Sequence, residues 1–239
     1  MNVDVDMSTQ TSSTATPELP DLPPGISLLE ADDEIHGALH ALVIDQLIDS
    51  SGPAVWVDAN CHVTAQSLLQ VAPTSRVLDR ISVARGFTAF QHYALVRGLA
   101  EHITDRTAAV VVPAVDAPYR ADDLRGREGE EMLVRALSSL AAIARTYEVP
   151  VLISRTGDDE FTAPIARAAH DTVTCVQTPM GPRFSTDEFD TLVYPVENGL
   201  LQTTFAFWQD VLEARVAHHD PALAADTTDS PEVTAHGPY

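Results

Sequence analysis

Against an acidic background, three arginines stand close together: Arg120, Arg125 and Arg127 fall within eight residues. A guanidinium presents a planar fork of N–H donors, so such a group suits recognition of phosphate, in DNA or elsewhere, or of a partner's carboxylates. Arg155 and Arg167 follow further along. A structural reading competes with this one. Asp122, Asp123, Glu128, Glu130 and Glu131 lie beside Arg125 and Arg127, and ion pairs with them would use up the same donors. The local sequence leaves both readings open.

The remaining candidates point away from catalysis. His218 and His219, with Asp220 next to them, are metal-ligand types, but adjacent side chains in a polar tail diverge, and a solvated tail is the simpler reading. Cys61-His62 lacks a third ligand at a recognisable spacing. Both cysteines, Cys61 and Cys175, sit in apolar runs, as buried thiols of a reducing compartment do. Neither a Gly-x-Ser-x-Gly elbow nor a His-Glu-x-x-His helix occurs. Paired acids such as Asp158-Asp159 read as solvated surface. No catalytic, cofactor-binding or metal-binding residue is expected.

The charge balance is extreme. There are 35 acidic residues against 14 basic ones, every basic residue is arginine, and the net charge is −21. An acidic, lysine-free surface with few aromatics stays hydrated where molar salt shortens the screening length to about 3 Å, which is the condition inside a salt-in halophile. In such a cell a negative net charge does not exclude nucleic acid as a ligand. In an ordinary cytosol it would. The chain has no apolar run long enough to span a bilayer and starts with acids where a secretory signal would have a basic residue, so a cytoplasmic protein without membrane attachment is expected.

Positioning these residues falls to an α/β domain. Residues 1–24 are rich in Ser, Thr, Pro and Asp and read as a disordered tail, and residues 217–239 read likewise. Between them, 25–216 alternates short apolar runs with stretches of helical period, the pattern of a mostly parallel sheet flanked by helices. Strands are expected at 54–58, 80–84, 107–112, 149–154 and 172–177. A C-terminal β-hairpin is expected from 189–196 and 200–208, around the turn residues Glu197-Asn198-Gly199. The clearest helix is 128–147, where Leu133, Ala136, Leu137, Leu140 and Ala144 share one face and three glutamates crowd the first turn. Weaker helices are expected at 37–48 and 90–103.

From Arg80 to Ser154 the order and spacing of these segments carry a resemblance. RISVARGFTAFQHYALVRGLAEHI looks like a strand, an Ala-Arg turn and a Gln-containing helix. TAAVVVPAVDAPYRADDLRGREGEEMLVRALSSLAAIARTYEVPVLISR is similar to a strand, a Tyr-Arg turn, a Gly-Arg loop, a long helix and a strand. Together they resemble the RecA/RadA recombinases, most closely the archaeal RadA and RadB branches. The resemblance implies a RecA-like fold, with the arginines at 120–127 in the first DNA-contacting loop and Arg155 and Arg167 flanking the second.

The departures from that family matter more. Its first strand leads into a phosphate loop, where backbone N–H groups cradle phosphates, a lysine neutralises them and a hydroxyl holds magnesium. The matching stretch here is GISLLEADDEIHGALHAL, with Gly37 or Ala38 in place of the lysine and Ala38 or Leu39 in place of the hydroxyl. Asp32, Asp33 and Glu34 stand where phosphates would lie. Like charges about 6 Å apart at an effective dielectric near 20 repel by roughly 3 kcal/mol per pair. The family's water-activating glutamate is matched by Asn60. Its magnesium aspartate is matched by the end of Val112-Pro113-Ala114, with Asp116 two or three places too late. The second loop begins Ser154-Arg155-Thr156 in place of Thr-Asn-Gln.

The expected protein is therefore a RecA-like paralogue that neither hydrolyses ATP nor carries a cofactor. Its expected partner is a recombinase or repair factor, with DNA as a further ligand. The alternative is a RecA-fold scaffold or regulator unrelated to repair, binding neither nucleotide nor DNA.

Overall fold

The computed structural model describes residues 19–31, 35–59, 63–178, 181–190, 209 and 211–216. Seven strands form one sheet: β1 (Gly25–Ala31), β2 (Ala54–Asp58), β3 (Ile81–Arg85), β4 (Ala109–Val112), β5 (Pro150–Ser154), β6 (Asp171–Thr178) and β7 (Gly181–Ser185). Their spatial order is β3-β2-β4-β5-β1-β6-β7, with every neighbouring pair parallel except the antiparallel β6–β7 hairpin. Helices α1 (Ile35–Asp49), α2 (Ala65–Leu69), α3 (Ser75–Leu78), α4 (Ala89–Gly98), α5 (Glu128–Tyr147) and α6 (Ala163–Ala168) cover the sheet.

The central strands are buried throughout, as strands covered on both faces must be. Their side chains alternate between two cores. Leu29, Trp56, Val111 and Leu152 face α1, α2 and α3, whereas Leu28, Val55, Val110 and Ile153 face α4, α5 and α6. α5 lays Leu133, Ala136, Leu137, Leu140 and Ala144 on the second core. Its bounds are those the periodicity predicts.

The five strands expected from apolar runs lie within one or two residues of β2 to β6, and the expected α/β class holds. Three short helices and β7 escaped the sequence reading, and β1 is not among the strands expected from apolar runs, entering only through the resemblance. α2 and α3 have only five and four residues, too few for a periodic signal, and are marked mainly by Thr64, whose hydroxyl caps α2 in a box with Ser67. The antiparallel hairpin at the C-terminal side of the sheet is β6–β7; the hairpin expected at 189–208 lies almost wholly outside the described residues. Leu19 and Leu22, in the stretch with a tail's composition, are buried in the α1-side core, so packing begins before residue 25. At the other end Val211, Leu212 and Val216 join the same core, and Arg215 pairs with Asp45 of α1.

Candidate functional site

In a parallel sheet, ligands bind beyond the C-terminal strand ends, where adjacent strands send their connections to opposite faces. β1 and β5 meet this condition. They are hydrogen-bonded neighbours, yet β1 leads to α1 on one face and β5 to α6 on the other. A cleft of about 290 Å³ lies there, lined by Leu29 to Ala31, by Arg155 to Asp158 and by Thr174 to Val176. Arg155 spans it: one end of its guanidinium pairs with Glu30 and the other with Asp158 at 2.6 Å, and its side chain is only 10% exposed. Three residues, Asp32 to Glu34, separate β1 from α1; they lie outside the described residues.

The adjacent strand ends are cross-tied by polar groups. After β4 the chain turns through Ala114, held at φ 44° with its N–H donating to Ser154 Oγ at 2.8 Å. This turn puts Asp116 in a wholly buried position. Its carboxylate accepts from the Thr156 N–H at 2.9 Å, from the Thr156 hydroxyl and from Arg120 Nε at 2.7 Å. Arg120 also donates to both oxygens of Asp159 at 2.9 Å and stacks 4.7 Å from the Phe161 ring centre. The hydrogen bond from Arg120 is the chief reason that the Asp159 carboxyl is held down at about 2. The roots of the loops after β4 and β5 are thus one network. At the end of β2, Asp58 is buried and pairs with Arg85 Nε at 3.0 Å, while Arg85 also donates to the Val63 carbonyl. Asn60, Cys61 and His62 lie outside the described residues, as do His218, His219 and Asp220.

Beside these strand ends sits His92, fully buried, with Nδ1 2.8 Å from the Tyr119 hydroxyl and no hydrogen-bond partner at Nε2 among the described residues. Burial pulls its pKa down to about 4, against a smaller upward pull from Asp58; burial likewise raises that of Tyr119. The folded value lies below that of an unfolded histidine, near 6.5, so between the two the unfolded chain binds the extra proton. This stability is fully present above pH 6.5 and is lost as pH falls towards 4, by about 3 kcal/mol in all. Denaturant unfolding of the protein and of His92→Gln from pH 7 to 4 should show a shallower decline in the variant. Parallel declines would exclude His92 as the titrating group.

The five arginines singled out in the sequence have different surroundings. Arg120 and Arg155 are held in the ion pairs just described. Arg167 is exposed, with Nε donating to the Ala163 carbonyl of its own helix at 3.2 Å. Arg127 is exposed and pairs with Glu130 at 3.1 Å. Arg125 is also exposed, and its guanidinium has no ion-pair partner among the described residues. Arg125 and Arg127 meet in a second cleft, between α4 and the start of α5, of about 470 Å³ and lined also by Phe90, Tyr93, Glu128, Glu131, Met132 and Arg135. Sequence reasoning missed Phe90, Tyr93 and Arg135. The only signal was an aromatic pair at i and i+3 on a helix, which reads equally well as core.

The sheet order, the two helical layers and the cross-tied C-terminal edge define a RecA-like α/β domain. A family model, Rad51, matches residues 39–182, more than half of the chain, and the protein belongs to that family. The matched stretch begins inside α1, after Asp32 to Glu34. No curated protein matches the chain. Among the described residues no helix is long and apolar enough to cross a membrane.

Proposed function

We propose that this protein is a non-catalytic RecA/RadA-like paralogue, an accessory or regulator in DNA recombination or repair that binds a recombinase or repair factor, with DNA as a further ligand. The observation that carries the reading is the character of the strand ends where phosphoryl chemistry needs cations and a metal-binding carboxylate. A phosphate loop spans eight residues and supplies N–H groups, a lysine and a hydroxyl. Here three acidic residues connect β1 to α1, and the whole chain contains no lysine. The buried acids nearby serve other partners: Asp58 holds Arg85, and Asp116 holds Arg120 and Thr156. Arg155, the cation nearest the cleft, is already paired to Glu30 and Asp158. Electrostatic groups of this kind provide most of the rate in phosphoryl transfer, so losing them together argues against hydrolysis.

Membership of the Rad51 family supports a place among proteins that work with DNA and protein partners. The lysine-free acidic composition supports a cytoplasmic protein of a salt-in halophile. In this reading the working domain runs from the buried Leu19 to about residue 216.

Equilibrium dialysis against labelled ATP and magnesium at molar salt should leave the nucleotide evenly distributed at millimolar concentration, with phosphate release at the buffer rate. Retention at micromolar ATP, or turnover abolished by Glu30→Gln, would overturn the non-catalytic reading. The tagged full chain should retain a recombinase or repair factor from a nuclease-treated halophile lysate, and retention should fall on Arg125→Ala/Arg127→Ala substitution.

A further inference from the structure

The cleft between α4 and α5 is distinct from the strand-end site. One wall comes from α4, with Phe90 56% exposed and Tyr93 partly buried; the other comes from the start of α5 and the residues before it, with Met132 at its floor. Three guanidiniums line it, Arg125, Arg127 and Arg135, against two carboxylates, Glu128 and Glu131. Arg127 and Arg135 are 85% and 62% exposed and, among the described residues, pair with Glu130 and Glu131 of α5. Such exposed pairs are weak and yield readily to another carboxylate. Arg97, outside the cleft's lining, lies 5.8 Å from the centre of the Tyr93 ring. Phe87, just before α4, is 78% exposed.

We propose that this cleft docks a segment of a partner protein that presents one aromatic or aliphatic side chain beside one or two carboxylates. The inference rests on the partner-binding reading above and specifies the chemistry of the segment. Its apolar side chain covers Phe90, Tyr93 and Met132, and its carboxylates take the free fork of Arg125 and displace the weak pairs of Arg127 and Arg135. Exposed aromatics beside arginines are the usual anchors of such interfaces. A nucleic-acid strand fits less well. It carries a charge at every nucleotide and would have to run past Glu128 and Glu131, with exposed Asp122 and Asp123 in the preceding loop. A peptide brings few charges, and its N–H groups can donate to those glutamates.

The test uses the full chain and an array of short peptides, each combining one Phe, Trp or Leu with none, one or several Asp or Glu, alongside oligothymidylate. Retention should require both the apolar residue and a carboxylate. For the best peptide, anisotropy titration should show affinity falling roughly tenfold or more on Arg125→Ala, on Phe90→Ala and on amide replacement of the peptide's acids. These side chains are exposed, so unfolding curves should be unchanged. Absence of any retained peptide, binding indifferent to these substitutions, or oligothymidylate competing for the cleft would each overturn the proposal. The nucleotide titration reports separately on the non-catalytic reading. Peptide failure without nucleotide binding removes only the docking site, whereas nucleotide binding with intact peptide recognition removes only the non-catalytic assignment.

Discussion

Asp116→Ala should destabilise the protein by about 3 kcal/mol, the lower end of the cost of removing one partner from a buried ion pair. The wild-type carboxylate is fully buried and satisfies the Thr156 N–H, the Thr156 hydroxyl and Arg120 Nε at once. Alanine leaves those donors without an acceptor at the C-terminal edge of the sheet, where little water can reach them. The lower end applies because the Arg120 side chain is 33% exposed and keeps Asp159. For a domain of this size the loss corresponds to a melting temperature lower by roughly 6–12 °C. Amide exchange should accelerate at Ala114, Val115 and Thr156, whose N–H groups are held by the β4–β5 junction. A loss below about 1 kcal/mol would mean that the network contributes little and that Arg120 is free to serve a ligand.

Gly52→Ala should cost more, above about 4 kcal/mol, and leave much of the chain insoluble. Gly52 lies in the turn between α1 and β2, where a Cβ would fall 1.6 Å from the Arg106 carbonyl oxygen and 2.8 Å from its carbon. Overpacking against side chains costs about 1–3 kcal/mol because they can swing aside. Here both contacts are backbone. The turn is pinned by Arg80, which donates to the carbonyls of Leu47, Ser50 and Gly52, and the Arg106 segment by the Ala108 N–H donating to Pro53 at 2.8 Å. Gly98→Ala is the matched control. It lies at the end of α4 with nothing within 4 Å of its added Cβ, and alanine there should be neutral or stabilising by up to about 1 kcal/mol. Equal melting temperatures for the two variants would refute the close approach at Gly52.

Both positions show why some of this protein was legible in its sequence and some was not. α5 and the central strands are read directly, because a period of 3.6 or an unbroken apolar run is a local consequence of burying one face or two. The RecA-like fold follows from the order of those segments, and the absence of lysine limits the chemistry before any coordinates are known. Short elements such as α2, α3 and β7 carry too few residues for a period to emerge, and packing decides them. The arginines illustrate the same division. Their number and clustering are properties of the chain, whereas two of them take partners from groups 30 or more residues away: Asp159 for Arg120 and Glu30 for Arg155, at separations of 39 and 125 residues.

The sequence by itself determined the fold class, the mostly parallel sheet flanked by helices and the lack of lysine for phosphate binding, because composition and hydrophobic period act residue by residue. Only the tertiary structure decided that Asp116 is a buried hub, that Arg155 spans the strand-end cleft and that Arg125 and Arg127 meet Phe90 and Tyr93. Charge pairing and clefts arise where distant segments converge, and no local pattern records which segments those will be.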